Sequence, residues 1–236
     1  GDTAWVRRYN GLGNGSDCAL GLAVDGSGNV YVTGKSWDSG TACKSATTVS
    51  GLCYNYDYAT IKYYPNGDTA WVRRYNGPGN KDDFAADIAV DGSGYVYVTG
   101  QSHGSGSNWD YATIKYYPDG DTAWVRRYNG EANLEDKATS LVIDVSGYIY
   151  VTGFSEGSET SRDFLSIEYN PNGDTVWVRR YNGPDNQDDR GWDISVDDSG
   201  KVYVTGSTGY TSGSGDFATI ASVSYTHLTL PTKRIV

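Results

Sequence analysis

A ten-residue phrase recurs four times along this chain, and it constrains the fold more than any other feature. It reads GDTAWVRRYN from Gly1, Gly67 and Gly120, and GDTVWVRRYN from Gly173. A second phrase, Asp-aromatic-x-x-Ile, begins at Asp57, Asp110, Asp163 and Asp216, with a constant spacing of 53 residues. Repetition at this period means one supersecondary unit copied in tandem, each copy burying its apolar face against the next.

One unit can be read strand by strand from Asp83 to Asn129. DDFAADIAVD is a first strand (A), closed by the turn DGSG. YVYVTG is a second (B), rich in β-branched and aromatic residues at alternating positions. The polar loop QSHGSGSNW leads to DYATIKYY (C), and the turn PDGD leads to TAWVRRY (D), with Pro118 presetting the turn and Gly120 free to take a positive φ. With 21 Tyr, 31 Gly and no helical period, the chain is expected to be all-β. Four antiparallel strands repeated about every 50 residues describe a β-propeller blade. Strand D is expected at 1–10, 67–76, 120–129 and 173–182. About four blades result, forming an open arc of a larger ring or a four-bladed closure by the N-terminal strand; the open arc is favoured. The first unit carries an insertion at 35–56 that lengthens it to 66 residues.

Three quoted segments carry a resemblance. IAVDGSGYVYVTG, DYATIKYYPDG and DTAWVRRYNGPGN resemble the bacterial β-propeller repeat family SBBP. Through the IAVD-x-x-G-x-x-YV core the chain is also similar, more weakly, to NHL-type repeats. The resemblance covers about residues 1–220. It implies a propeller, commonly seven-bladed, within large secreted or cell-surface bacterial proteins. It implies no reaction and brings no catalytic motif.

The register breaks after Ile220, where ASVSYTHLTLPTKRIV replaces the expected strand D. Residues 223–232, VSYTHLTLPT, resemble a sequencing adaptor translated in frame. The expected domain is therefore residues 1–221, with 222–236 a non-native tail. Met is absent and the chain opens inside a repeat, so an internal fragment is expected, with further blades of the same parent chain as its neighbours.

The formal charge of -10 disfavours nucleic acid and anionic membrane surfaces. No apolar run is long enough to span a bilayer as a helix. Among three cysteines, Cys43 and Cys53 flank one loop of the insertion. A bridge there would contribute on the order of 2–3 kcal/mol in an oxidising compartment. Cys18 stands where Phe84, Lys137 and Arg190 stand in the other units, and reads as an incidental thiol. No zinc or other metal motif, Ser-His-Asp set or phosphate loop is present, so no cofactor and no catalytic residue is assigned.

The paired carboxylates Asp82–Asp83, Glu135–Asp136 and Asp188–Asp189 lie in the D-to-A loops. They suit either a hard cation or the capping of backbone N–H groups, and the lack of a spaced D-x-D-x-D-G pattern favours capping. Asp25, Asp91, Asp144 and Asp197 read as turn acceptors. Adjacent arginines of strand D must point to opposite faces, so pairing with acids and stacking on aromatic rings is expected. The B-to-C loops share little, and variable loops on a rigid scaffold are where ligand contacts concentrate. Trp37, Tyr54, Tyr56, His103, Trp109 and Tyr210 are the ligand-binding candidates, for a glycan or a protein partner. The alternative is that these loops are drifting linkers. The expected function is a non-catalytic binding or structural module, extracellular or at the cell surface. The other reading is the propeller part of an enzyme whose active residues lie elsewhere in the parent chain.

Overall fold

The computed structural model describes residues 1–38, 55–211 and 214–223. Every regular element among them is a strand. The first sheet comprises β1 (Asp17–Val24), β2 (Val30–Trp37), β3 (Tyr56–Tyr63) and β4 (Thr69–Tyr75). The second comprises β5 (Asp83–Val90), β6 (Val96–His103), β7 (Trp109–Tyr116) and β8 (Thr122–Tyr128). The third comprises β9 (Asp136–Ile143), β10 (Ile149–Glu156), β11 (Arg162–Tyr169) and β12 (Thr175–Tyr181). The fourth comprises β13 (Asp188–Val196), β14 (Lys201–Thr211) and β15 (Ser214–Val223). Pairing is antiparallel between consecutive strands throughout, as blades require. The innermost strands β1, β5, β9 and β13 neighbour one another in that order, and the sheets are not closed into a ring.

Local chemistry makes the turns. The Asp91 carboxylate accepts the N–H groups of Ser93 and Tyr95 at 2.8 and 3.0 Å and the Tyr97 hydroxyl at 3.0 Å. Asp25 and Asp144 do the same in their own units. Each D-to-A loop turns on an asparagine of positive φ, namely Asn14, Asn80, Asn133 and Asn186. A second Asn four residues earlier donates to its side chain, as in Asn76 to Asn80 at 2.7 Å.

Each apolar core lies between two blades. Tyr31, Tyr58 and Trp71 of the first sheet pack with Ile88, Val98 and Ile114 of the second, and the next two interfaces follow suit. Fully burying one such side chain is worth about 2 kcal/mol. The repeated tryptophan bolts blades together. Trp71 Nε1 donates to Pro118 O at 3.1 Å and its ring lies over Gly120, where a Cβ would sit 2.8 Å from a ring carbon. Gly120 also has φ +90°, so both its neighbour and its backbone require glycine. Trp124 repeats the contact on Pro171 and Gly173. Among the described residues Trp177 has no such acceptor, and its Nε1 is buried without a partner there. The place of the missing proline, 53 residues after Pro171, falls at Ser224, in the stretch where the repeat register breaks.

One expectation needs correction. Residues 1–10 do not form a strand. They dock instead as strand D docks on the following blade, with Trp5 Nε1 donating to Pro65 O at 3.1 Å and Arg7 reaching Asp68 at 3.5 Å. A ladder needs a strand C beside it, and among the described residues none pairs with this segment. The Cys43–Cys53 pair and residues 224–236 lie outside the described residues, as does most of the 35–56 insertion.

Candidate functional site: the bowl on the inner strands

Repetition and variation separate cleanly in space. At the second position of strand A, counted from the capping aspartates Asp17, Asp83, Asp136 and Asp189, the four units carry Cys18, Phe84, Lys137 and Arg190. Two residues further on, each strand A holds a β-bulge: Leu20, Ala86, Thr139 and Trp192 are each an extra residue opposite the B strand. A bulge re-aims the side chain it contains. These eight residues line one cavity of about 530 Å³ bounded by all four inner strands. Strand-B residues Lys35, Gln101 and Phe154 and loop-proximal Glu135 and Arg162 complete its wall.

Rings form a continuous stack on one side. Tyr56 meets Phe84 edge-on at 5.7 Å, Phe84 meets Trp109 at 5.1 Å, and Trp109 meets His103 at 3.9 Å. Lys35 Nζ sits 4.9 and 4.7 Å from the Tyr56 and Phe84 centroids, and Lys137 Nζ is 5.6 Å from Trp109. On the other side the guanidinium groups of Arg162 and Arg190 lie 5.3 and 5.4 Å from the Phe154 ring. Trp192 is half exposed beside them. Cations held over ring faces gain from the ring quadrupole and lose little conformational freedom.

An ion-pair chain ties the cations together. Lys137 and Arg162 both reach Glu135, at 2.6 and 2.7 Å, and Arg162 and Arg190 both reach Asp188, at 3.2 and 2.7 Å. Burial alone would raise the Asp188 carboxyl. Hydrogen bonds from Ser161, Arg190 and Arg162 outweigh that and hold it below the usual carboxylate range. Among the described residues Arg162 Nε is buried without an acceptor. His103 is held below its ordinary range by burial, with the Lys81 charge adding to the effect.

The candidates divide accordingly. Tyr56 and Trp109, with His103 behind them, join the ring stack at the bowl. Trp37 does not: its ring is packed under the D-to-A loop, where a Cβ on Gly15 would fall 1.6 Å from it. Tyr210 lies in β14, and its side chain is outside the described residues, as is the whole of Tyr54. Cys18 is an exposed free thiol on the cavity wall. Phe84, Lys137, Arg162, Arg190 and Trp192 were not among the candidates. Their signal was variation at a fixed repeat position, visible in the alignment of Cys18 with its three counterparts.

The repeated charges have structural work instead. Arg74, Arg127 and Arg180 pair with the buried Asp57, Asp110 and Asp163 at 2.9, 2.7 and 2.5 Å. Their neighbours Arg73 and Arg126 reach the other way, donating to Gly120 O and Gly173 O of the following blade, each at 2.6 Å. Asp83 and Asp136 accept the N–H groups of Gly77 and Gly130, both at 2.7 Å, which is the capping role. Burial pushes both carboxyls up to about 6. Among the described residues, no group of three or more acidic, His or Cys side chains is arranged to hold a metal ion.

The family model described as SBBP, beta-propeller repeat, matches residues 5–40 and 70–106. Each match runs from the tryptophan phrase through the D-to-A loop and strands A and B. No curated protein matches the chain. Among solved structures, a gluconolactonase from Xanthomonas campestris is similar at 14% identity, over 86% of this chain and 57% of its own, with a TM-score of 0.41. The chain thus spans less than two thirds of that protein, and at that level nothing of its activity carries over.

Proposed function

We propose that this chain is a binding module whose ligand seat is the bowl on the inner strands. One observation supports this most. The positions that repeat are engaged in turns, blade contacts and buried ion pairs, whereas the second position and the bulge of strand A differ in every unit and face one shared cavity. Scaffold residues are constrained by packing, and a ligand seat is free to vary. The cavity volume lies within the range typical of small-molecule pockets. Its aromatic faces, cations and polar Gln101 and Thr139 suit an oxygen-rich ligand such as a glycan or an exposed protein loop, in an extracellular or cell-surface setting.

A glycan array probed with the full chain tests the reading. The expected result is a restricted set of hits that disappears in Trp192→Ala while the melting temperature stays within a few degrees. An array without hits, together with no loss of any protein partner in that variant, contradicts it.

A further inference from the structure

We infer that the ligand seated in this bowl is an acidic sugar, recognised through a carboxylate. The inference rests on the binding-module reading and narrows it. Its origin is a mismatch of charge. The chain carries 29 acidic and 19 basic residues, yet four cations, Lys35, Lys137, Arg162 and Arg190, and a single carboxylate, Glu135, line the cavity. Asp188 stands behind Arg162 and Arg190 without lining the wall. An anion entering the bowl therefore meets an excess of positive charge in a concave, partly dry site, where the local field is focused.

Lys35 is the most telling of the four. Its ammonium is held between the Tyr56 and Phe84 rings, and among the described residues no carboxylate lies within ion-pair distance. Elsewhere the repeats meet most of their cations with acids or backbone carbonyls: Arg74 with Asp57, Lys62 and Lys115 with Pro118 O and Pro171 O. Arg162 carries a guanidinium whose planar fork suits a carboxylate, already oriented by Glu135 and Asp188. Trp192 and Phe154 offer flat apolar surface beside it, and Gln101 and Thr139 supply hydroxyl partners. A pyranose ring presents an apolar face to an aromatic ring and hydroxyls at its rim. A uronate adds a carboxylate to a wall where three of the four cations share Glu135 and Asp188.

Calorimetric titration of the full chain with trigalacturonate and with its methyl ester separates charge from ring shape. The expected result is saturable binding of the acid, at least tenfold weaker binding of the ester, and affinity that falls as salt is raised from 50 to 500 mM. Lys35→Gln and Arg162→Gln are each expected to weaken the acid at least fivefold while leaving the ester unchanged. Lys35→Gln breaks no ion pair, so it retains the fold if the Arg162 variant does not. Equal binding of acid and ester overturns the charge inference and leaves the binding module standing. No binding of either probe overturns the inference, and the glycan array then decides separately whether the bowl binds any sugar.

Discussion

Arg127 and Arg7 belong to the same repeated phrase and differ in what surrounds them. Arg127 holds Asp110, the Ser102 hydroxyl and carbonyl, and the Tyr75 hydroxyl, with Asp110 almost wholly buried. Arg127→Ala leaves that carboxylate uncompensated, and urea denaturation should show a loss of about 3–5 kcal/mol. Arg7 reaches an exposed Asp68, so Arg7→Ala should cost less than about 1 kcal/mol. The same scale governs pH. The folded pKa values of Asp83 and Asp136 lie above the ordinary 3.8, because burial favours the neutral acid. Folding therefore takes up protons between about 4 and 6, and stability should rise as the pH is lowered through that window. Asp25 works the other way. Burial, the largest single effect, opposes the shift, but hydrogen bonds from Asn29, Tyr31 and Ser27 together outweigh it and hold its carboxylate near 2, so its contribution is lost only below about pH 4. Melting temperatures across pH 3–8 should peak near 4–5, and Asp136→Asn should flatten the slope between 4 and 6. A curve that rises with pH there contradicts the assignment.

At the level of elements, strands A to D were legible because alternation, turn residues and the 53-residue spacing all agreed. The bulge in strand A was not. Its cause is the glycine of the VTG phrase in strand B, where a side chain would collide with the facing strand. A Cβ on Gly100 would sit 2.1 Å from Phe84 O, and Gly34, Gly153 and Gly206 are equally closed. Gly100→Ala should cost on the order of 2 kcal/mol through backbone displacement. Gly92→Ala, in open space at an ordinary φ, should be neutral within about 0.5 kcal/mol. Equal effects in thermal melts would show that the bulge does not depend on this close approach. Because the bulge re-aims Leu20, Ala86, Thr139 and Trp192, the cavity wall could not be read from strand periodicity. Loop variability points to Tyr56, Trp109 and His103, whose rings form one stack with Phe84, and not to the second position of strand A, which varies as much but inside a strand.

Across the molecule, the last sheet differs from its predecessors. Tyr58, Tyr111 and Phe164 are buried at the start of strand C, whereas Phe217 is 88% exposed and Asp216 is exposed as well. Among the described residues β15 has no strand on its outer side. Such an edge, with an apolar ring beside it, templates pairing with another chain. Sedimentation velocity should show concentration-dependent association that Phe217→Lys diminishes, while a monodisperse monomer at all concentrations contradicts this. The same four-unit geometry explains the division between the repeated scaffold and the varied cavity wall. Copies of one unit place equivalent residues around one axis, so whatever differs among them at an inward position meets in one cavity.

The most direct test of that division compares two variants of the full chain in parallel melts and trigalacturonate titrations. Lys137→Ala with Arg190→Ala alters positions that do not repeat, and Arg73→Ala with Arg126→Ala alters positions that do. The account predicts that the first pair removes binding and moves the melting temperature by only a few degrees, and that the second lowers the melting temperature substantially and leaves affinity unchanged in the folded protein. The reverse pattern, with stability residing in the bowl and binding in the repeated arginines, would contradict it.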